Sequence, residues 1–83
     1  MTEHHQDQDE PWFEIERRLR DDDEGRERDA LQQRLEEAAR AVKRQMDVGV
    51  STAEFGGLQA IHQGLEAGID VIQRVWRVHH PRA

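Results

Sequence analysis

The segment Val48-Gly49-Val50-Ser51-Thr52-Ala53-Glu54-Phe55 constrains the fold more than any other, because it stops one helix and starts the next within a few residues. Ser51-Thr52-Ala53-Glu54 reads as a capping box, in which the Ser51 hydroxyl accepts from the Glu54 backbone N–H and the Glu54 carboxylate reaches back to the Ser51 N–H. Val50 and Phe55 fall where a hydrophobic staple would close over that cap. Gly49 stands where a helix end calls for a left-handed residue. Two helices joined by a loop of about four residues fold back as antiparallel neighbours, so the spacing predicts an αα-hairpin.

The flanking segments have helical periodicity. Over about residues 26–47, Leu31, Leu35, Ala38, Ala39, Val42 and Met46 recur on one narrow stripe among good helix formers. Leu31, Leu35, Val42 and Met46, with Phe55 from the next helix, are the expected hairpin core. The second long helix, about 52–78, has a much wider apolar surface. Leu58, Leu65 and Ile72 share one heptad position, Ile61, Gly68 and Val75 a second, Ile69 and Trp76 a third with His62, and Gly57, Gly64, Val71 and Val78 a fourth. A single narrow partner helix covers one side of such a surface. Leu58, Ile61, Leu65, Ile69, Ile72, Val75 and Trp76 are therefore expected to be divided between hairpin core and a partner-binding face.

Upstream, Pro11 opens a short helix over about 11–20, with acids in its first turns, arginines in its last, and Trp12, Ile15 and Leu19 on one face. This helix folds over the C-terminal part of the long one, or a partner protein does; the small size of the chain favours a partner. Asp21-Asp22-Asp23-Glu24-Gly25 reads as a hinge or as the acidic start of the second helix. Residues 1–10 have the composition of a disordered acidic arm, 11–80 form a single helical-hairpin domain, and 81–83 are a flexible tail. Gly57, Gly64 and Gly68, with Ala60 and Ala67, lie on or near one stripe; close packing against the second helix is the favoured explanation, a groove for a partner's side chains the other.

With 83 residues, 35% hydrophobic and 36% charged, the fold class is all-α and a self-sufficient enzyme core is not expected. The absence of Cys excludes disulfides and thiol chemistry. No apolar run approaches the length of a membrane span, and MTEHHQDQDE is acidic where a signal peptide would be basic and then apolar, so a soluble, cytoplasmic chain is expected. The net charge of −6 and the lack of a basic stripe with interleaved aromatics argue against nucleic acid as a partner. His4-His5 falls in the arm and His79-His80 at a fraying end, so neither pair makes a selective metal site. His62 borders the apolar face. No phosphate loop, dinucleotide fingerprint, metalloprotease motif or nucleophile elbow occurs. The expectation is a protein without catalytic, cofactor or metal residues.

The stretch LQQRLEEAARAVKRQMDVGVSTAEFGGLQAIHQGLEAGIDVIQRVW, with IERRL upstream, resembles the small co-chaperones of type III secretion needle subunits, the YscE type. The likeness covers about residues 15–76 and rests on pattern and register. It implies a bacterial cytoplasmic virulence protein that pairs with a larger tetratricopeptide-like chaperone, stabilises it, and helps hold the needle subunit as a soluble monomer before export. The arm before Pro11, the acids Asp21 to Asp23 and the tail from His79 to Ala83 depart from the family pattern. Other readings are a self-assembling homodimer, formed when no partner is present, and a small inhibitor or adaptor that uses Asp21 to Glu24.

Overall fold

The computed structural model describes residues 11–82, apart from the side chain of Pro11; the arm expected over 1–10 lies outside the described residues, as does Ala83. Three helices form: α1 Pro11–Arg20, α2 Arg26–Asp47 and α3 Thr52–His79. Among the described residues there is no strand, and the fold is an all-α hairpin of α2 and α3 with α1 added.

The hairpin turn follows the local chemistry of its residues. Gly49 takes φ 95°, in the left-handed region, and the Val48 N–H donates to the Arg44 carbonyl oxygen as α2 ends. Ser51 Oγ then accepts from the Glu54 N–H at 3.2 Å, and the Ser51 N–H donates to Glu54 Oε1 at 3.3 Å, so both halves of the capping box are present. Val50 is half-buried, whereas Phe55, expected in the hairpin core, is 42% exposed.

From this turn α2 and α3 run back side by side. Gln73 Nε2 donates to Gln32 Oε1 at 2.6 Å, which fixes their register and draws Gln73 out of the polar strip into a half-buried position. That pairing sets the C-terminal half of α3 beside the N-terminal half of α2, with Trp76 beside Arg28, and α1 with the turn 21–25 folds over Ile72, Val75 and Trp76. Leu19 is completely buried there, against Ile72 and Trp76, each 6% exposed, with Ile15, Leu31, Leu35 and Val75 packed round them. The favoured expectation for this end, a partner protein, gives way to the intramolecular one. Val71 and Val78 stay exposed, on the side of α3 that α1 does not reach.

The glycine stripe also differs from expectation. A methyl group built on Gly68 would lie 3.5 Å from Leu35 Cδ1, an ordinary contact with α2, but one built on Gly57 or Gly64 would have no neighbour within 4 Å. Those two glycines are not required by packing inside the hairpin. Helix interiors lose about 0.5–1 kcal/mol for each Gly relative to Ala. Gly57→Ala and Gly64→Ala are therefore expected to stabilise the free protein, each raising the thermal midpoint by about 2–8 °C. Gly25→Ala should lower it, because Gly25 has φ 80° and a Cβ there would run into the Arg28 guanidinium. Thermal denaturation of the three variants checks this, and a destabilising Gly64→Ala would contradict the open geometry.

Candidate functional site

Two regions stand out, one polar and closed, the other apolar and open. The closed region is built round Trp76 at the free end of the hairpin. Its indole N–H donates to the Asp22 carbonyl oxygen at 2.8 Å. The Arg28 guanidinium lies 4.1 Å from the ring centroid, and the His80 ring stacks on Trp76 with centroids 4.4 Å apart. His80 Nε2 is 2.9 Å from the Leu19 carbonyl oxygen. A carbonyl only accepts, so Nε2 carries the proton in that bond. Nδ1 of the same ring faces Asp23 at 3.8 Å, and His79 Nε2 faces Glu16 at 3.8 Å. His79 and His80 thus belong to the packed structure, and the expectation of a fraying end is corrected.

Asp22 is buried and starts α2 from outside the helix, its Oδ2 accepting from the Arg28 N–H at 3.0 Å. Burial alone would raise its carboxyl pKa. Hydrogen bonds from the backbone N–H groups of Arg28, Glu27 and Arg26, with the Arg28 charge, outweigh that and hold it below the usual value. The run Asp21 to Gly25 is therefore a fixed turn whose second residue caps the next helix. Among the described residues no buried side-chain nitrogen or oxygen lacks a partner, and no group of three or more His, Asp or Glu is placed to hold a metal. Trp76, His80, Asp22 and Arg28 thus join the three helices at this end.

The open region is the hairpin tip. Val48 is 83% exposed and Ile61 53%, and Phe55 stands beside them on α3. Gln45, Val48, Val50, Glu54, Gly57, Leu58 and Ile61 line an open groove of about 450 Å³ between the end of α2 and the start of α3. Midway along the hairpin, Ala39, Arg40, Lys43, His62, Glu66 and Ile69 line a second depression with Glu36. Leu58, Leu65, Ile69, Val42 and Met46 are half-buried between the helices. Of the residues expected to form core or partner face, the structure gathers Ile72, Val75, Trp76, Leu31 and Leu35 at the α1 end and leaves Ile61 and Phe55 bare at the tip. Leu19, Asp22, Arg28 and His80 were not singled out as a group by sequence. A faint signal existed, since an Asp three residues before a Gly that opens a helix is a capping geometry.

Exposed apolar groups are not confined to the tip: Trp12 and Phe13 on α1 and Val71 and Val78 on α3 are exposed as well. The family model described as "Type III secretion system, cytoplasmic E component of needle" matches residues 14–79, and the chain belongs to that family. No curated protein and no solved structure matches the chain. Among the described residues no helix is long and apolar enough to cross a membrane.

The Asp22 cap gives a pH prediction. A carboxyl whose pKa is lower in the folded than in the unfolded state adds stability that is complete above the unfolded value and is lost as pH falls through the folded one. Wild type should exceed Asp22→Asn in stability at pH 7, and the margin should shrink below about pH 4. Urea unfolding of both proteins at pH 7 and pH 3 measures the margin; the same margin at both pH values would refute the assignment.

Proposed function

We propose that the protein is a non-enzymatic co-chaperone of the type III secretion needle, which docks on a larger helical-repeat chaperone, stabilises it, and with it keeps the needle subunit soluble and monomeric in the cytoplasm before export. Membership of the needle E-component family supports the system and the dependence on protein–protein contacts. The observation that carries the reading is the bare tip. An isolated hairpin of this size has little apolar surface to spare, yet Val48, Phe55 and Ile61 are left in solvent at the tip, as are Trp12, Phe13, Val71 and Val78 away from it. Side chains exposed in this way become stabilising when a partner covers them.

The partner-binding residues in this reading are Ile61, Phe55, Leu58 and Val48, with Ile72, Val75 and Trp76 kept for the core. Substitution of Leu65 or Ile69 by Asp would disturb the half-buried interior and confound folding with binding. Ile61→Asp is the cleaner probe, and Gln63→Glu, on the exposed polar strip of the same helix, its control.

Light-scattering mass, measured on the protein alone and after co-expression with the needle subunit and helical-repeat chaperone of its secretion system, tests the proposal. A discrete hetero-complex is expected, abolished by Ile61→Asp and unaffected by Gln63→Glu. A stable homodimer indifferent to both candidates would overturn it.

A further inference from the structure

The end of α3 carries two adjacent histidines that reach across to α1 and to the turn that follows it. His79 Nε2 stands 3.8 Å from Glu16 Oε2 on α1. The His80 side chain is 9% exposed and stacks on Trp76. An acceptor lies opposite each of its ring nitrogens, the Leu19 carbonyl oxygen 2.9 Å from Nε2 and Asp23 Oδ1 3.8 Å from Nδ1. A neutral imidazole has a single N–H to give. While Nε2 donates it to Leu19, Nδ1 turns a lone pair towards the Asp23 carboxylate. Only the cationic ring presents an N–H to both.

The charges round these rings come from every element at this end. Glu16 of α1 and Asp23 of the turn are the facing carboxylates, and neither is paired with an arginine or lysine among the described residues. Asp22, the neighbour of Asp23, is committed to the start of α2. From α2 comes Arg28, a cation on the same indole, but Asp29 Oδ1 lies 3.0 Å from its Nε and offsets its charge. Arg77 lies one turn back on α3, and Arg82 follows the helix in sequence. Burial of His80 and these arginines oppose a further positive charge. Two facing carboxylates, an acceptor opposite each His80 nitrogen and the negative end of the α3 dipole favour it.

We infer that His79 and His80 form a proton-operated clasp on α1: with both rings charged, Glu16 and Asp23 are held to the end of α3. As pH rises through the ordinary histidine range, near about 6.5, both contacts lose their charge. The helix α1 is then held by its apolar packing, by the bond from Trp76 to the Asp22 carbonyl and by that from His80 to the Leu19 carbonyl. The sign is opposite to that of the Asp22 cap. Stability supplied by the clasp is complete below the histidine range and is lost as pH rises, whereas that of the cap is lost as pH falls.

Thermal denaturation of the full-length protein and of a Glu16→Gln/Asp23→Asn double variant, at about pH 5.5 and about pH 8 and low ionic strength, tests the clasp. The two side chains are 45% and 91% exposed, so their replacement leaves the core intact. Wild type should melt at least about 2 °C above the variant at the lower pH, and the margin should fall to less than half of that at the higher one. The remaining carboxylates stay ionised across this window, and His4, His5 and His62 are common to both proteins. In a His79→Gln/His80→Gln background the pH dependence of the margin should disappear. Equal margins at both pH values, or none at either, would overturn the clasp, as would a pH-dependent margin that survives in the background without the two histidines. The free protein is measured throughout, so the outcome does not depend on what docks at the tip.

Discussion

The indole of Trp76 is the contact on which the rest of the structure depends. It sits near the end of α3, beside Arg28 at the start of α2 and against Leu19 of α1. Its N–H donates to the Asp22 carbonyl oxygen, its ring meets the Arg28 guanidinium and the His80 ring, and it shares a buried cluster with Leu19 and Ile72. One side chain thereby ties the end of α3 to the turn after α1, to the start of α2 and to α1 itself. A core this small has few apolar contacts with which to hold a ten-residue helix in place. The polar bonds from Trp76, His80 and Asp22 give α1 a defined position that Leu19 and Ile15 alone would fix loosely.

Closing one end leaves the other as the place where the molecule meets its surroundings. The turn 48–51 is held by backbone geometry and by the capping box, and owes little to tertiary packing. That independence lets Val48, Phe55 and Ile61 stay in water without unravelling the helices that carry them. Gly57 and Gly64, which touch nothing in the free chain, keep one side of α3 low and smooth beside the groove. The two ends thus differ in how they are held: a network of polar bonds round Trp76 at the free end, a self-contained cap at the turn.

The elements were legible in the sequence because each is announced by local chemistry. Ser51 and Glu54 mark the start of α3, Gly49 the end of α2, and Pro11 with its acids the start of α1, so the three helices match the pattern to within one residue. The distribution of the apolar surface was not legible. Helical periodicity shows that α3 has more apolar surface than α2 can cover, but not whether α1 or a partner covers its C-terminal part, because that choice rests on tertiary bonds. Those bonds join Trp76 to a backbone carbonyl 54 positions earlier and His80 to one 61 positions earlier. A backbone acceptor leaves no mark in a sequence. For the same reason the terminal histidines read as a loose end; Phe55, the fourth residue of α3, reads as core only from its staple position.

The central claim is that α1 belongs to the folded core and that the tip is the surface left for a partner. Amide hydrogen exchange, measured on the free protein and on its complex with the helical-repeat chaperone, tests that claim most directly. The account predicts that in the free protein residues 15–20 and 69–80 are protected together, and that the complex adds protection over residues 44–62. Free exchange of α1 in the isolated protein, or new protection confined to residues 11–20, would contradict it.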